Sequence, residues 1–233
     1  MLTVVTHTRN SRPELLKRTI ASVEAALVPG VSHQIILCLD NYAKARWEAS
    51  QLDQYVTFVD DDDTIPPDIL AICLEVLRSK AYADVGLLVT EEQRVDLEGR
   101  VLAETRGVKT YDALTAHPCI AHSLCVFNRD AVDPRSVDLH NKYTVGVDWA
   151  IKTSAGLRGG AVHVPKVGYY WTQHPDSLNS KEHQTFASCM FAIGQDMRSM
   201  WSGRHGRIPI WMPESNEHNS VANPKSTSAV GPS

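Results

Sequence analysis

What this sequence lacks narrows it first. Its five cysteines, Cys38, Cys73, Cys119, Cys125 and Cys189, are odd in number and include no Cys-x-x-Cys pair, which argues against a disulfide framework. They lie mostly in apolar runs, where cysteine behaves as a small buried hydrophobe, and a reducing compartment fits them best. No apolar stretch approaches the roughly 20 residues needed to span a bilayer, and no basic region with a long apolar core precedes the strand pattern at residues 2–6. A soluble, cytoplasmic protein without a transmembrane segment is therefore expected. Excess positive charge is missing as well. Twenty-three Lys and Arg stand against 27 Asp and Glu, a net charge of −4, so no global field draws nucleic acid or anionic lipid. Internal repeats are absent.

What remains is ordinary globular composition: 233 residues, 43% of them hydrophobic, enough for one large core. Residues 2–6 read as a strand, followed by a polar loop at 7–10. Ser11-Arg12-Pro13-Glu14 then has the form of a capping box with proline in the first turn. Leu16, Ile20, Val23 and Leu27 recur at helical spacing up to Pro29-Gly30. Residues 34–39 form a continuous apolar run, expected to be a strand buried on both faces, which ends in Asp40. A polar stretch at 43–51 follows. The strand at 55–59 delivers four consecutive aspartates, Asp60 to Asp63, then a helix whose apolar face includes Ile69, Cys73 and Val76, and a fourth strand at 85–89.

This alternation predicts an α/β fold with a mostly parallel central sheet and helices on both faces, with ligands bound at the carboxyl ends of the strands. Three polar clusters fall there: the Thr6 to Asn10 loop, Asp40 and the aspartate run. Further on, residues 95–101 read as a hairpin and 123–127 as a strand. Residues 147–155 read as a short helix closed by Gly156, and 181–201 as a longer helix. Residues 1–212 are expected to form one domain of two halves, about 1–90 and about 91–212. The Ser-, Asn- and Pro-rich residues 213–233 are expected to be a disordered tail.

Four adjacent carboxylates at the end of an apolar strand repel one another and call for a compensating cation. Asp60 and Asp62 point to the same side of a strand, and hard oxygen ligands suit Mg²⁺ or Mn²⁺; a solvated turn capping the next helix is the plainer alternative. His117, Cys119, His122 and Cys125 are close enough in sequence to hold zinc but lack a second pair, and core positions explain the cysteines.

Residues 58–70, Phe-Val-Asp-Asp-Asp-Asp-Thr-Ile-Pro-Pro-Asp-Ile-Leu, resemble the DxD segment of GT-A-fold glycosyltransferases of family 2. A Thr-x-Asn-type loop after the first strand, a strand ending in Asp40, the Asp148-Trp149 pair, Gly156 and the Tyr170 to Ser177 segment follow in that family's order, over about residues 2–180. The resemblance implies a metal-dependent, inverting glycosyltransferase that moves a sugar, a hexose in a UDP donor, to an acceptor hydroxyl. It implies that Asp60 lies near the donor ribose and the metal, Asp62 binds the metal, and Asp61 joins them at the donor. It also implies that Thr6, Thr8, Arg9, Asn10 and Asp40 hold the nucleotide, and that His174 is a further ligand of Mn²⁺ or Mg²⁺.

Each assignment has a plainer counterpart. Asp40 can accept from the uracil imide or cap its loop, and Arg9 can bind phosphate or lie on the surface. Asp148 matches the general base, which takes the acceptor proton as oxygen attacks the anomeric carbon; equally it can cap the helix from Trp149. Val147 replaces the first acid of the family's Glu-Asp pair. Two alternatives stand beside the transferase. One is a haloacid dehalogenase-type phosphatase with Asp60 as nucleophile and Asp62 as acid; the other is a non-catalytic sugar-nucleotide-binding module. The acceptor, whether glycan, lipid-linked sugar, protein or modified nucleic acid, is not written in these residues.

Overall fold

The computed structural model describes residues 1–38, 42–82, 84–116, 123–143, 146–175, 183–201 and 204–212. Asp40, the segment with His117, Cys119 and His122, Ser177 and the 213–233 tail lie outside the described residues.

Six strands make one sheet: β1 (Leu2–Thr8), β2 (Val31–Leu37), β3 (Tyr55–Asp60), β4 (Leu87–Val95), β5 (Cys125–Asn128) and β6 (Ala161–Thr172). Their spatial order is β2-β1-β3-β5-β4-β6. The β1–β2, β1–β3 and β4–β6 pairs are parallel, and only the short β5 runs against its neighbours. The mixed, mostly parallel α/β architecture expected from the alternating pattern is therefore present.

Among the described residues seven α-helices accompany the sheet: α1 (Pro13–Ala26), α2 (Tyr42–Ala49), α3 (Ile69–Arg78), α4 (Tyr111–Ala116), α5 (Ser136–Lys142), α6 (Val147–Gly159) and α7 (His183–Met200). Strand alternation sorts the core into two layers. Leu2, Val4, Val59, Leu88 and Val126 pack on one face with α1 and α3, through Val23, Ile69, Leu70 and Cys73. Val5, Phe58, Leu87, Val89 and Phe127 pack on the other with Leu114, Leu139, Trp149, Ile151, Met190 and Met197.

Several expectations are corrected. The apolar run in β2 is not buried on both faces: β2 is an edge strand, and Ile35 and Leu37 are 49% and 57% exposed. α1 has Arg12 at its N-cap with no side-chain cap, so Ser11 closes no capping box; Pro13 stands at its start, and the helix stops at Ala26 rather than at Pro29. Its buried stripe is Thr19, Val23 and Ala26. The polar stretch at 43–51 contains α2, whose buried positions Ala43, Arg46 and Ala49 have helical spacing without large apolar side chains. α6 runs past Gly156, which packs against Leu87 and Leu114, and ends at Gly160 with φ of +82°.

β6 escaped the sequence pattern. Pro165, Lys166 and Gly168 interrupt its alternation, and the pairing with β4 shifts register between Val89 and Glu92. Gly168 sits against the Thr90 side chain, where no Cβ fits. The hairpin at 95–101 is present, with a Val95–Val101 bridge, an Asp96 N–H to Arg100 carbonyl bond of 3.0 Å and Gly99 at φ +81°.

Candidate active site

The parallel strands β1 and β3 end side by side, with His7 in register with Asp60, so the loop after β1 meets the aspartate run. The four aspartates then diverge. Asp60 receives an ion pair from Arg46 on α2, whose side chain is 3% exposed and lies over the Phe58 ring at 4.5 Å. Asp61 accepts from the Thr8 hydroxyl at 2.6 Å and from Arg12 Nη2 at 2.6 Å. Asp62 Oδ2 is held by Arg12 Nη1 and lies 3.0 Å from His174 Nε2. Asp63 turns inward and accepts from the Thr172 N–H at 2.7 Å and the Tyr169 hydroxyl at 2.9 Å.

These partners lock the loop to β6. Tyr169 Oη also accepts the Asp60 N–H at 3.0 Å, and Thr64 and Tyr170 form a backbone bridge. Burial, then the negative charges of Asp62 and Asp60, push the Asp63 carboxyl well above the usual carboxylate range. Burial raises Asp61 too, against the pull of Thr8 and Arg12. His7, edge-on to Phe58, is pushed down to about 3 by burial and by Arg46, and so stays neutral.

Of the residues singled out for the nucleotide, Thr8 reaches the acidic loop directly. Thr6 lies inside β1 with its hydroxyl 2.9 Å from His33 Nε2 on β2. Asn10, in the left-handed region at φ +54°, donates its backbone N–H to Thr8 Oγ1 at 2.8 Å, and both Arg9 and Asn10 are exposed. Of the three expected metal ligands, Asp62 and His174 come together while Asp60 turns to Arg46.

Among the described residues no three carboxylate, imidazole or thiol groups close on one point as a formed metal site. Instead Asp61, Asp62 and His174 surround one guanidinium, with Arg12 Nη1 at 3.0 Å from His174 Nε2. Two carboxylate oxygens and an imidazole nitrogen gathered on a stand-in cation are a donor set that suits Mn²⁺ or Mg²⁺. The cradle is spread to guanidinium size, and would have to draw in to reach a bare ion at about 2.1 Å.

Asp148 lies in the first turn of α6, where the helix dipole favours a carboxylate. The N-cap is Gly146, at φ +76°, so Asp148 does not cap this helix. Lys152 Nζ stands 3.8 Å from Asp148 Oδ2, one turn on, and its side chain is 1% exposed. Beyond it is Glu92 on β4, also buried, with neither carboxylate oxygen hydrogen-bonded within the described residues. Arg106 Nη1 is 4.0 Å away. Burial, against the opposing charges of Arg106 and Lys152, raises the Glu92 carboxyl to about 7.

Arg12, Arg46, Tyr169 and Glu92 were not identified from the sequence. Arg46 has the clearest signal, a charged residue at the inward position of the Ala43-x-x-Arg46-x-x-Ala49 spacing. Arg12 was read only as part of a cap.

No family model and no curated protein matches this sequence. Among solved structures the chain is similar to a crystal structure of S. aureus TarS residues 1–349, with a TM-score of 0.51 and 14% identity over 86% of this chain and 72% of that one. The same fragment in complex with UDP-GlcNAc gives a TM-score of 0.56 and 14% identity, over 82% of this chain and 65% of that one. A longer TarS structure gives 0.53 and 15%, with this chain spanning 38% of its length. At such identity the likeness shows the fold, a GT-A-like α/β architecture. No described helix is long and apolar enough to cross a membrane.

Proposed function

We propose that this chain is an inverting glycosyltransferase that moves a sugar, a hexose, from a UDP-sugar donor to an acceptor hydroxyl with the help of a divalent cation. One observation carries the proposal: Asp61 and Asp62 from the loop after β3 and His174 from the segment after β6 gather around a single positive group beside the end of β1. That is the end of a parallel sheet where ligands bind, and a fold likeness to a structure holding UDP-GlcNAc adds support.

Asp62 and His174, with Asp61 beside them, would hold Mn²⁺ or Mg²⁺, which when bound supplies the positive charge that stabilises a departing nucleoside diphosphate. Asp60, fixed by Arg46, is assigned to the ribose side of the donor. Thr6, Thr8, Arg9, Asn10 and Asp40 are assigned to the nucleotide, with Thr8 and Asn10 joined by their own hydrogen bond. Asp148 takes the acceptor proton on a carboxylate oxygen as the acceptor oxygen attacks the anomeric carbon. Lys152 beside it holds that carboxylate in place. The phosphatase alternative is weakened by the ion pair to buried Arg46, which engages one carboxylate oxygen of the Asp60 that would attack.

Calorimetric titration with nucleoside diphosphates, with and without Mn²⁺, tests the donor assignment; UDP binding that strengthens with Mn²⁺ is expected, and indifference to every nucleoside diphosphate would overturn it. Asp148→Asn should lower turnover about 100-fold or more while leaving UDP affinity unchanged. Unchanged turnover removes Asp148 from the chemistry.

A further inference from the structure

We propose that Arg12 is a diphosphate-binding residue held in reserve: at rest it occupies the cation's place among Asp61, Asp62 and His174, and on donor binding it yields that place and pairs with the diphosphate. The inference rests on the donor assignment above and concerns a residue that assignment does not use.

One side chain touches all three groups. Nη2 is 2.6 Å from Asp61 Oδ1, Nη1 bonds Asp62 Oδ2, and the same Nη1 is 3.0 Å from His174 Nε2. A divalent ion needs the lone pairs these donors now cover, so the ion and the guanidinium compete for one seat. The two arginines of the loop differ in freedom. Arg46, 3% exposed and stacked on Phe58, is pinned, whereas the Arg12 side chain is 25% exposed and projects from the N-cap of α1.

Charge decides the order of events. The carboxylates of Asp60, Asp61 and Asp62 are offset by Arg12, Arg46 and Arg18, whose Nη2 donates to the Asp62 carbonyl at 2.9 Å, so the loop at rest offers a diphosphate little net attraction. A divalent ion makes it positive, but its ligands are taken. Ion and diphosphate entering together resolve both obstacles. The carboxylates pass to the ion, and the released guanidinium meets phosphate oxygens, which its planar fork can bind in pairs. Metal and nucleotide should therefore bind with strong positive coupling, equal when measured from either side.

Mn²⁺ binding to the full chain, followed by the loss of the free-ion paramagnetic resonance signal, tests this without any turnover. Wild-type protein alone should take up Mn²⁺ weakly, and saturating UDP should tighten it about tenfold or more, the lower range of allosteric couplings. Arg12→Ala should bind Mn²⁺ without UDP about tenfold more tightly than wild type, and its UDP coupling should shrink by about that factor, leaving only the direct contact between ion and diphosphate. Arg12→Lys, which keeps the charge but loses the fork, should retain weak resting Mn²⁺ binding and lose part of the coupling. UDP binding with equal Mn²⁺ affinity in wild type and Arg12→Ala overturns the reserve role and leaves the donor assignment standing. Failure of UDP to bind either protein at any Mn²⁺ concentration overturns both.

Discussion

Replacing Glu92 by glutamine should make the stability of this protein less sensitive to pH through the neutral range. Glu92 is 1% exposed on β4, and both its carboxylate oxygens lack a hydrogen-bond partner among the described residues. Its backbone is fixed by the paired bonds with Arg106, at 2.7 and 2.9 Å. Burial raises the carboxyl from the ordinary 4.5 to about 7. Between those values the folded chain holds a proton that the unfolded chain has released, so stability falls as pH rises and is lowest above the folded value. At about 1.36 kcal/mol per pH unit, the interval is worth about 3 kcal/mol. Glutamine does not titrate. Its own burial adds an offset that is the same at every pH, so the informative quantity is how the gap between the two proteins changes. Urea unfolding at about pH 5 and about pH 8.5 should show that gap moving by about 2–3 kcal/mol in favour of Glu92→Gln. A gap that stays constant between the two conditions would refute the reasoning, because it would mean that Glu92 ionises in the fold as it does in the open chain.

Three further outcomes follow from the same contacts. Tyr169→Phe removes one hydroxyl that serves both Asp63 and the Asp60 N–H, and should cost about 1–3 kcal/mol in chemical unfolding while weakening UDP binding through a looser loop; an unchanged midpoint would show the bonds to be dispensable. Arg46→Met roughly keeps volume but removes the buried ion pair to Asp60. It should destabilise by about 2 kcal/mol, below the usual cost of breaking a buried pair because Asp60 is partly exposed, and adding Asp60→Asn should recover part of the loss. Gly86→Ala places a methyl against the Ala155 carbonyl and 2.7 Å from Gly159 Cα. Backbone on that side leaves little room to give, so an overpacking cost of about 1–3 kcal/mol should appear as a lower thermal midpoint, and no change would show that α6 can retreat from the sheet.

Much of the fold was legible because it depends on local periodicity. β1, β3 and α3 follow from apolar runs and helical spacing, and strand–helix alternation is enough to predict a mostly parallel sheet. Failures occurred where position in the sheet, not pattern, decides. Ile35, Ile36 and Leu37 look like an interior strand, yet β2 is the edge, because nothing within a strand's own residues says whether a neighbour lies on its far side. β6 was invisible for the opposite reason: Pro165 and Gly168 read as breakers, but the first lies on an exposed stretch and the second where Thr90 approaches too closely for any side chain. At the site, Asp60 to Asp63 were found because adjacent charges are conspicuous, whereas a lone arginine in a helix is not.

The same asymmetry bears on what a run of aspartates means. Counted along the chain, four adjacent carboxylates demand an external cation. Counted in space, the demand is largely met from within. Arg46 arrives from 14 residues away and Arg12 from about 50, while Asp63 leaves the cluster altogether for Thr172 and Tyr169, more than 100 residues on. Guanidinium groups that folding brings in thus neutralise much of an acidic motif from within. The deciding property is whether an internal cation can leave. A pinned arginine, such as Arg46, neutralises for good, whereas one with a quarter of its side chain in solvent, such as Arg12, neutralises only until a better cation and an anion arrive together. The Asp61–Asp62–His174 cradle therefore joins an internal cation with room to withdraw to a ligand set that a divalent ion would claim in its place.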